Sequence, residues 1–171
     1  MSDQSQAFVL HLQRLAQNDR GALAALRRSA GFAPAAYPPA FPYVERFVPA
    51  NSHAEDSYRL ALYITAALFA RHPHHLAGQS LAAALGKLMQ ARDSASIELR
   101  FVALLSADAE DLPQYLRQVI SLLAADDYAV DYAGLLQDLA RYLHPYQPDA
   151  RDKVRQHWAR DFYRQLITQA Q

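Results

Sequence analysis

Apolar residues recur at helical spacing along almost the whole chain. Phe8, Val9, Leu12 and Leu15 follow the i, i+3, i+4, i+7 pattern of an amphipathic helix. Further stripes of this kind lie at about 18–31, 56–71, 76–92, 94–105, 131–143 and 149–168, and another helix is predicted to open at residues 111–113. No segment of useful length alternates like a strand. The pattern predicts an all-α protein, a helical bundle of about seven to nine helices.

Polar residues mark where these helices begin. Asn18, Asp56, Ser94 and Asp131 each precede an apolar stripe, and their short side chains suit the N-cap position, where they accept a free backbone N–H. Pro73 follows the stripe at 56–71 and is predicted to end that helix, because proline has no N–H to donate.

Residues 33–53 interrupt the helical pattern with five prolines. An irregular crossover with at most one short helix is predicted there. Aromatic residues within the segment, such as Phe41 and Phe47, indicate that it packs onto the core. The chain is either a single all-helical domain over residues 1–171 or two packed helical lobes with this segment between them.

Composition excludes several kinds of protein. There is no cysteine, which removes thiol nucleophiles, Cys-based zinc sites and disulfides, and agrees with a reducing compartment. The polar start lacks the basic region of a signal peptide. The longest uncharged apolar run, residues 60–70, is far shorter than the ~20 residues that span a bilayer. A cytoplasmic protein without a membrane segment is predicted.

The net charge is zero, but the charges are unevenly placed. Residues 1–105 contain ten Lys/Arg and seven Asp/Glu, residues 106–149 contain two and eight, and residues 150–171 contain five and two. Fifteen of the 17 basic residues are arginine. The guanidinium fork suits phosphate, although GC-rich codon usage would also enrich arginine. A fold with one basic face is therefore a reasonable expectation.

The first candidate site lies around the predicted start of the helix at 94–105. Arg92 lies near the positive end of that helix, and Lys87 and Arg100 add charge, so a groove there could follow a nucleic-acid backbone. The alternative is that Arg100 pairs with Asp93 or Glu98 on a solvated face.

A second candidate is the basic stripe at 18–31. Arg20 and Arg27 are seven residues apart and share a helix face, Arg28 flanks them, and Arg14 extends the stripe from the preceding helix. A third basic set, at 151–164, alternates with Asp152 and Asp161, which favours an ordinary salt-bridged surface. Trp158 within it is predicted as a core residue rather than a base-stacking platform.

No pattern for catalysis is found. His72, His74 and His75 cluster in a turn without a His-Glu-x-x-His spacing, so the sequence predicts no metal site and no cofactor. There is no phosphate-binding glycine loop and no nucleophile elbow. The prediction is a non-enzyme. A helical, metal-dependent phosphohydrolase is the enzymatic alternative and would require a stoichiometric ion.

Three segments together resemble a known family. They are residues 15–28 (LAQNDRGALAALRR), residues 92–105 (RDSASIELRFVALL), and residues 130–139 (VDYAGLLQDL) followed by 158–162 (WARDF). In this order and spacing they are similar to the CasB-type small subunit of the type I-E CRISPR Cascade complex. The resemblance covers nearly the whole chain, although the proline-rich segment is longer than expected of a minimal member.

The resemblance implies a non-catalytic helical scaffold. Its expected partners are the backbone and large subunits of Cascade, a second copy of itself, the CRISPR guide RNA and target DNA. A basic face would bind the guide–target duplex and the displaced single strand and stabilise the R-loop. The residues carried over to that face are Arg20, Arg27, Arg28, Lys87, Arg92 and Arg100, with Arg14, Arg117 and Arg141 as further members. The alternative is a helical protein–protein interaction adaptor with no nucleic-acid role.

Overall fold

The computed structural model describes residues 2–168, and within that range it contains nine α-helices. They are α1 (Ser2–Asn18), α2 (Arg20–Ser29), α3 (Phe41–Val44), α4 (Ser57–Arg71), α5 (Leu81–Arg92), α6 (Ala95–Ser106), α7 (Leu112–Ala125), α8 (Tyr132–Tyr142) and α9 (Pro148–Thr168). A lone parallel bridge joins His75 and Val130. The predicted all-α helical bundle is confirmed. Every helix in this range is too short or too polar to span a lipid bilayer.

Helix α4 forms the centre of the bundle. Ten consecutive residues, 61–70, are buried, because α8, α2 and α7 pack around the helix. A helix that is apolar on all sides is expected inside a core rather than on a surface. Its start agrees with the predicted cap, since Asp56 Oδ1 accepts the backbone N–H groups of Tyr58 and Arg59 at 3.0 and 3.2 Å.

Helices α5 and α9 form the most extensive helix pair. Gly86 allows their backbones to meet, because a β-carbon at that position would lie 2.7 Å from the Phe162 carbonyl oxygen. The Phe162 ring stacks on Phe101 of α6 with ring centroids 4.1 Å apart. Gly86 therefore sets how closely α5 and α9 approach.

The proline-rich segment lies on the core, as its aromatic residues predicted. Tyr37, Phe41 and Phe47 pack against buried side chains, and the Phe47 ring meets Phe8 edge-on at 5.0 Å. The backbone forms α3 flanked by two short 3-10 helices, Pro38–Ala40 and Glu45–Phe47. The segment is thus more regular than predicted.

Two predicted helix starts are wrong. Helix α1 continues through Asn18, and Asp19 caps α2 instead by accepting the Ala22 N–H at 2.9 Å. Helix α5 begins at Leu81 rather than at residue 76, with Ser80 as its cap. Residues 76–80 form a loop that pairs with residues 130–131, and this distant partner removes them from the helix.

Candidate nucleic-acid interface

Arginine side chains connect helix α7 to the ends of two earlier helices. Arg117, on α7 itself, donates from Nη1 to the Ala30 carbonyl just after α2, at 2.7 Å. One turn later, Ser121 Oγ accepts from Nε of Arg71, the last residue of α4, at 2.6 Å. Since residues 117 and 121 share a helix face, the two guanidinium groups lie along the same edge of the molecule.

Arg27 joins this edge from α2. Its Nε and Nη2 atoms donate to the Ala70 carbonyl at 3.3 and 3.2 Å, directly before Arg71. Ala70 lies in the last turn of α4, where exposed carbonyls favour a nearby cation. A carbonyl or hydroxyl acceptor carries no net charge. The positive charges of Arg27, Arg71 and Arg117 are therefore not cancelled by these contacts.

Arg92 is the fourth arginine along this edge, and its contact lies just after the end of α7. Its Nε donates to Asp126 Oδ2 at 2.9 Å, across the ends of α5 and α7. The hydrogen bond from Arg92 holds the pKa of Asp126 below its usual value, and the same bond raises the pKa of Arg92. We call Arg27, Arg71, Arg117 and Arg92 the α7 band. Residues 117–126 place its contacts along about 13 Å of helix axis.

Four further predicted residues remain open to solvent. Arg14, Arg20, Arg28 and Arg100 are exposed, and among residues 3–167 none of them forms an ion pair. The predicted alternative for Arg100, pairing with Asp93 or Glu98, is wrong. We call these four the free arginines. Arg28 adjoins the α7 band through its neighbour Arg27.

Glu98 is held by a different partner. It accepts a hydrogen bond from the Tyr163 hydroxyl of α9 at 3.0 Å. This contact ties α6 to α9 and holds the Glu98 carboxylate against Tyr163 rather than in an ion pair with Arg100.

Lys87 and Arg141 make their contacts elsewhere. Lys87 Nζ donates to Gln79 Oε1 at 2.8 Å, in the loop before α5. Residues 87 and 92 are five apart, so they lie about 140° apart around α5 and do not form one groove. Arg141 pairs loosely with Asp138 of α8 at 3.9 Å and borders a cavity between α8 and α9. Neither residue contacts the α7 band.

The basic residues of α9 mainly support the fold. Arg151 Nε donates to the Tyr142 carbonyl at 2.9 Å, and Arg155 donates to the carbonyls of Leu105 and Ala107 at 2.6 and 3.2 Å. The predicted salt bridge with Asp152 is also present, at 3.4 Å. These arginines hold the ends of α6 and α8 and do not form a binding stripe.

Trp158 is a core residue, as predicted. Its side chain is buried, and Nε1 donates to Asp138 Oδ2 at 2.8 Å. Burial raises the pKa of Asp138, although the bond from Trp158 favours the ionised form. Base stacking on this ring is excluded by its burial.

Arg71 is the one member of the α7 band that the sequence did not indicate. Its partner Ser121 lies 50 residues away in the chain. A usable signal existed, because Arg71 directly follows the uncharged run at 60–70 and lies just before Pro73. A cation at that position must turn outward, toward whatever helix end lies nearby.

The predicted histidine cluster divides into two parts. His75 Nδ1 accepts the Tyr132 N–H at 3.1 Å and serves the backbone of α8. His72 and His74 instead lie with Asp127, and one ligand atom from each of the three lies within 4.8 Å of the others.

Comparison with known proteins agrees with this architecture. Residues 22–163 match the family described as CRISPR-associated protein Cse2. A Cse2 protein of Thermus thermophilus is 41% identical over 143 residues, covering 83% of this chain and 78% of that protein. The crystal structure of CasB from Thermus thermophilus superposes with a TM-score of 0.77 at 39% identity, covering 93% of this chain and 97% of the other.

A chain of a CRISPR RNA-guided surveillance complex has the same fold. It superposes with a TM-score of 0.79 at 24% identity, over 99% of this chain and 96% of that one. The resemblance to the CasB-type family is confirmed by the closer relatives. The chain belongs to the Cse2 family of CRISPR-associated proteins.

Proposed function

We propose that this chain is a non-catalytic structural subunit of a type I-E Cascade complex. In that complex it binds nucleic-acid backbone through the α7 band and the free arginines. The ligands are the displaced single strand and the guide–target duplex, and the result is a more stable R-loop. The partners are the backbone and large subunits, a second copy of this chain, the guide RNA and the target DNA.

The observation that supports this proposal is the chemistry of the band's acceptors. Arg27 and Arg117 bind backbone carbonyls, and Arg71 binds a hydroxyl. All three guanidinium groups thus keep their charge while their positions are fixed. Such groups can attract phosphate without reading bases, as a subunit that follows a backbone requires.

We expect the isolated chain to bind free DNA weakly. The net charge is zero, and free DNA gains little from a protein whose acidic and basic residues are equal in number. Exchange of a DNA duplex for a guide–target duplex is nearly balanced, so modest backbone contacts can shift it. Within an assembly the local concentration of nucleic acid is high, and these contacts then contribute.

The test is charge reversal at two free arginines, Arg28→Glu with Arg100→Glu, in the reconstituted complex. Target DNA retention at physiological salt is measured by filter binding, and we expect a clear loss. The matched control is Lys153→Glu with Arg160→Glu, which makes the same charge change on α9. Retention that stays unchanged, with both variants folded, would reject the proposal.

A second candidate is the protein-interaction adaptor, and one observation favours it. Leu99 and Val102, one turn apart on α6, are 72% and 44% exposed beside Arg100. Large apolar side chains on a surface often mark a protein contact. A pull-down of partner subunits with and without nuclease distinguishes the two candidates. If the chain is an adaptor, nuclease should not change the amount of partner subunit captured. The charge-reversal variants should then leave DNA retention by the complex unchanged.

A further inference from the structure

Two loops that are distant in the sequence are joined by backbone hydrogen bonds. The Val130 N–H donates to the His74 carbonyl, in the loop between α4 and α5, at 3.1 Å. The Leu76 N–H, in the same loop, donates to the Val130 carbonyl at 3.1 Å. Asp131 N–H bonds the Gln79 carbonyl at 2.7 Å. Side chains on the two loops therefore face each other in a fixed frame.

Three potential metal ligands meet at this junction. His74 Nδ1 and Asp127 Oδ1 are 2.9 Å apart. With bonds of about 2.0 Å, two ligands of a tetrahedral zinc ion are separated by about 3.3 Å. His72 supplies the third atom, within 4.8 Å of the other two. Small side-chain movements would bring all three to coordinating distance.

The orientation of His72 also suits a ligand. The side chain is only 5% exposed, and Nε2 lies 2.6 Å from the Tyr128 carbonyl. A carbonyl can only accept, so Nε2 carries the hydrogen and Nδ1 keeps its lone pair. Histidines that bind metals commonly donate their second ring N–H to a backbone carbonyl, which fixes the tautomer and the ring.

Asp127 lies in a left-handed turn with its carboxylate exposed. Its φ angle is 58°, a left-handed conformation in which glycine or asparagine is more usual. The exposed carboxylate bonds only His74 in this region. The turn thus presents an exposed carboxylate to His74.

We propose that His72, His74 and Asp127 bind one divalent transition-metal ion of the zinc type. Two imidazole nitrogens and one carboxylate oxygen are ligands that zinc accepts, with solvent as the fourth. The sequence did not predict this site, because Asp127 lies 53 residues after His74. The three histidines cluster in a turn without a His-Glu-x-x-His spacing, which is why the sequence predicted no metal site.

The site adjoins the α7 band on both sides. His72 follows Arg71, and Asp127 follows Asp126, the partner of Arg92. A bound ion would clamp the two loops that position these arginines and would add positive charge beside them. Zinc binding at this site would not require nucleic acid or the partner subunits.

The experiment is calorimetric titration of the tag-free chain with zinc chloride, without partners or nucleic acid. We expect one zinc ion per chain, and an affinity at least about tenfold lower in His74→Ala and in Asp127→Asn. Asparagine keeps the left-handed turn, so Asp127→Asn tests the carboxylate without disturbing the loop. His53→Ala, an exposed histidine elsewhere, is the control and should bind as the parent does.

Thermal unfolding supplies an independent measurement. Zinc should raise the melting temperature of the parent chain, and a chelator should reverse the shift, because the ion binds the folded form. At the same zinc concentration the shift should be smaller in His74→Ala. Absence of saturable binding, or equal binding by the parent and both site variants, would overturn the proposal. His74 and Asp127 would then be a simple ion pair.

Discussion

The α7 band and the free arginines have the same guanidinium group, but among residues 3–167 the band's groups are bonded within the fold and those of the free arginines are not. In the band, Arg27 and Arg117 already hold the ends of α4 and α2 through backbone carbonyls. On the outer faces of α1, α2 and α6, Arg14, Arg20 and Arg100 have no ion pair within residues 3–167. The band therefore couples phosphate attraction to folding, whereas the free arginines can be changed with little effect on folding.

The largest expected effect is on stability, at Arg117. The substitution Arg117→Ala removes a charged donor from a half-buried site and leaves the Ala30 carbonyl without this partner. We expect a loss of about 1–2 kcal/mol in the free energy of unfolding, measured by urea denaturation. Arg28→Ala, at the end of α2, is the matched control and should change it by less than about 0.5 kcal/mol. Equal losses would remove the distinction between the two sets.

The second prediction concerns DNA binding by the assembled complex. Removing one phosphate contact should reduce the slope of log affinity against log salt by about 0.7 for single-stranded DNA. Arg28→Gln and Arg100→Gln should each show this change without loss of stability. Arg141→Gln, on the α8–α9 side, should leave the slope as it was. If all three variants have the same salt slope as the parent, the free arginines do not contact phosphate.

The smallest effect is expected at His11, next to Arg14. Burial lowers its pKa below the ordinary 6.5, a hydrogen bond to the Tyr43 carbonyl opposes this, and the charges of Arg46 and Arg14 lower it further. Its neutral form is thus favoured in the folded chain. Stability from this group is present above the ordinary pKa and is lost as the pH falls through the lowered one.

In Arg14→Gln we expect the pKa of His11 to move upward slightly, and less stability to be lost in that pH range. Titration of the imidazole by NMR measures the shift. Arg20→Gln, at the start of α2, is the comparison variant and should leave the titration unchanged. An unchanged pKa in Arg14→Gln would show that the Arg14 charge does not reach His11.

Sequence reasoning was most successful where the information is local. Apolar spacing located the helices, and the caps at Asp56 and Asp131 follow from a short side chain beside free N–H groups. The burial of Trp158 follows from the spacing of its neighbours on α9. These features depend on residues only a few positions apart.

Features that depend on distant residues were missed or misplaced. The loop at 76–80 was predicted as helix because its pairing with residues 130–131 is invisible in the local pattern. The contact of Arg71 with Ser121 and that of His74 with Asp127 also join distant positions. Lys87 is a different case. Residues five apart on a helix point in different directions, so the sequence alone could have shown that Lys87 and Arg92 do not line one groove.

The close approach at Gly86 has a consequence for the cations on α5. A single added methyl group would collide with the Phe162 carbonyl oxygen and push the neighbouring helix outward. Arg92 is six residues further along α5, and its reach to Asp126 depends on where that helix is seated. An uncharged residue with no side chain thus governs the alignment of an ion pair that it never touches.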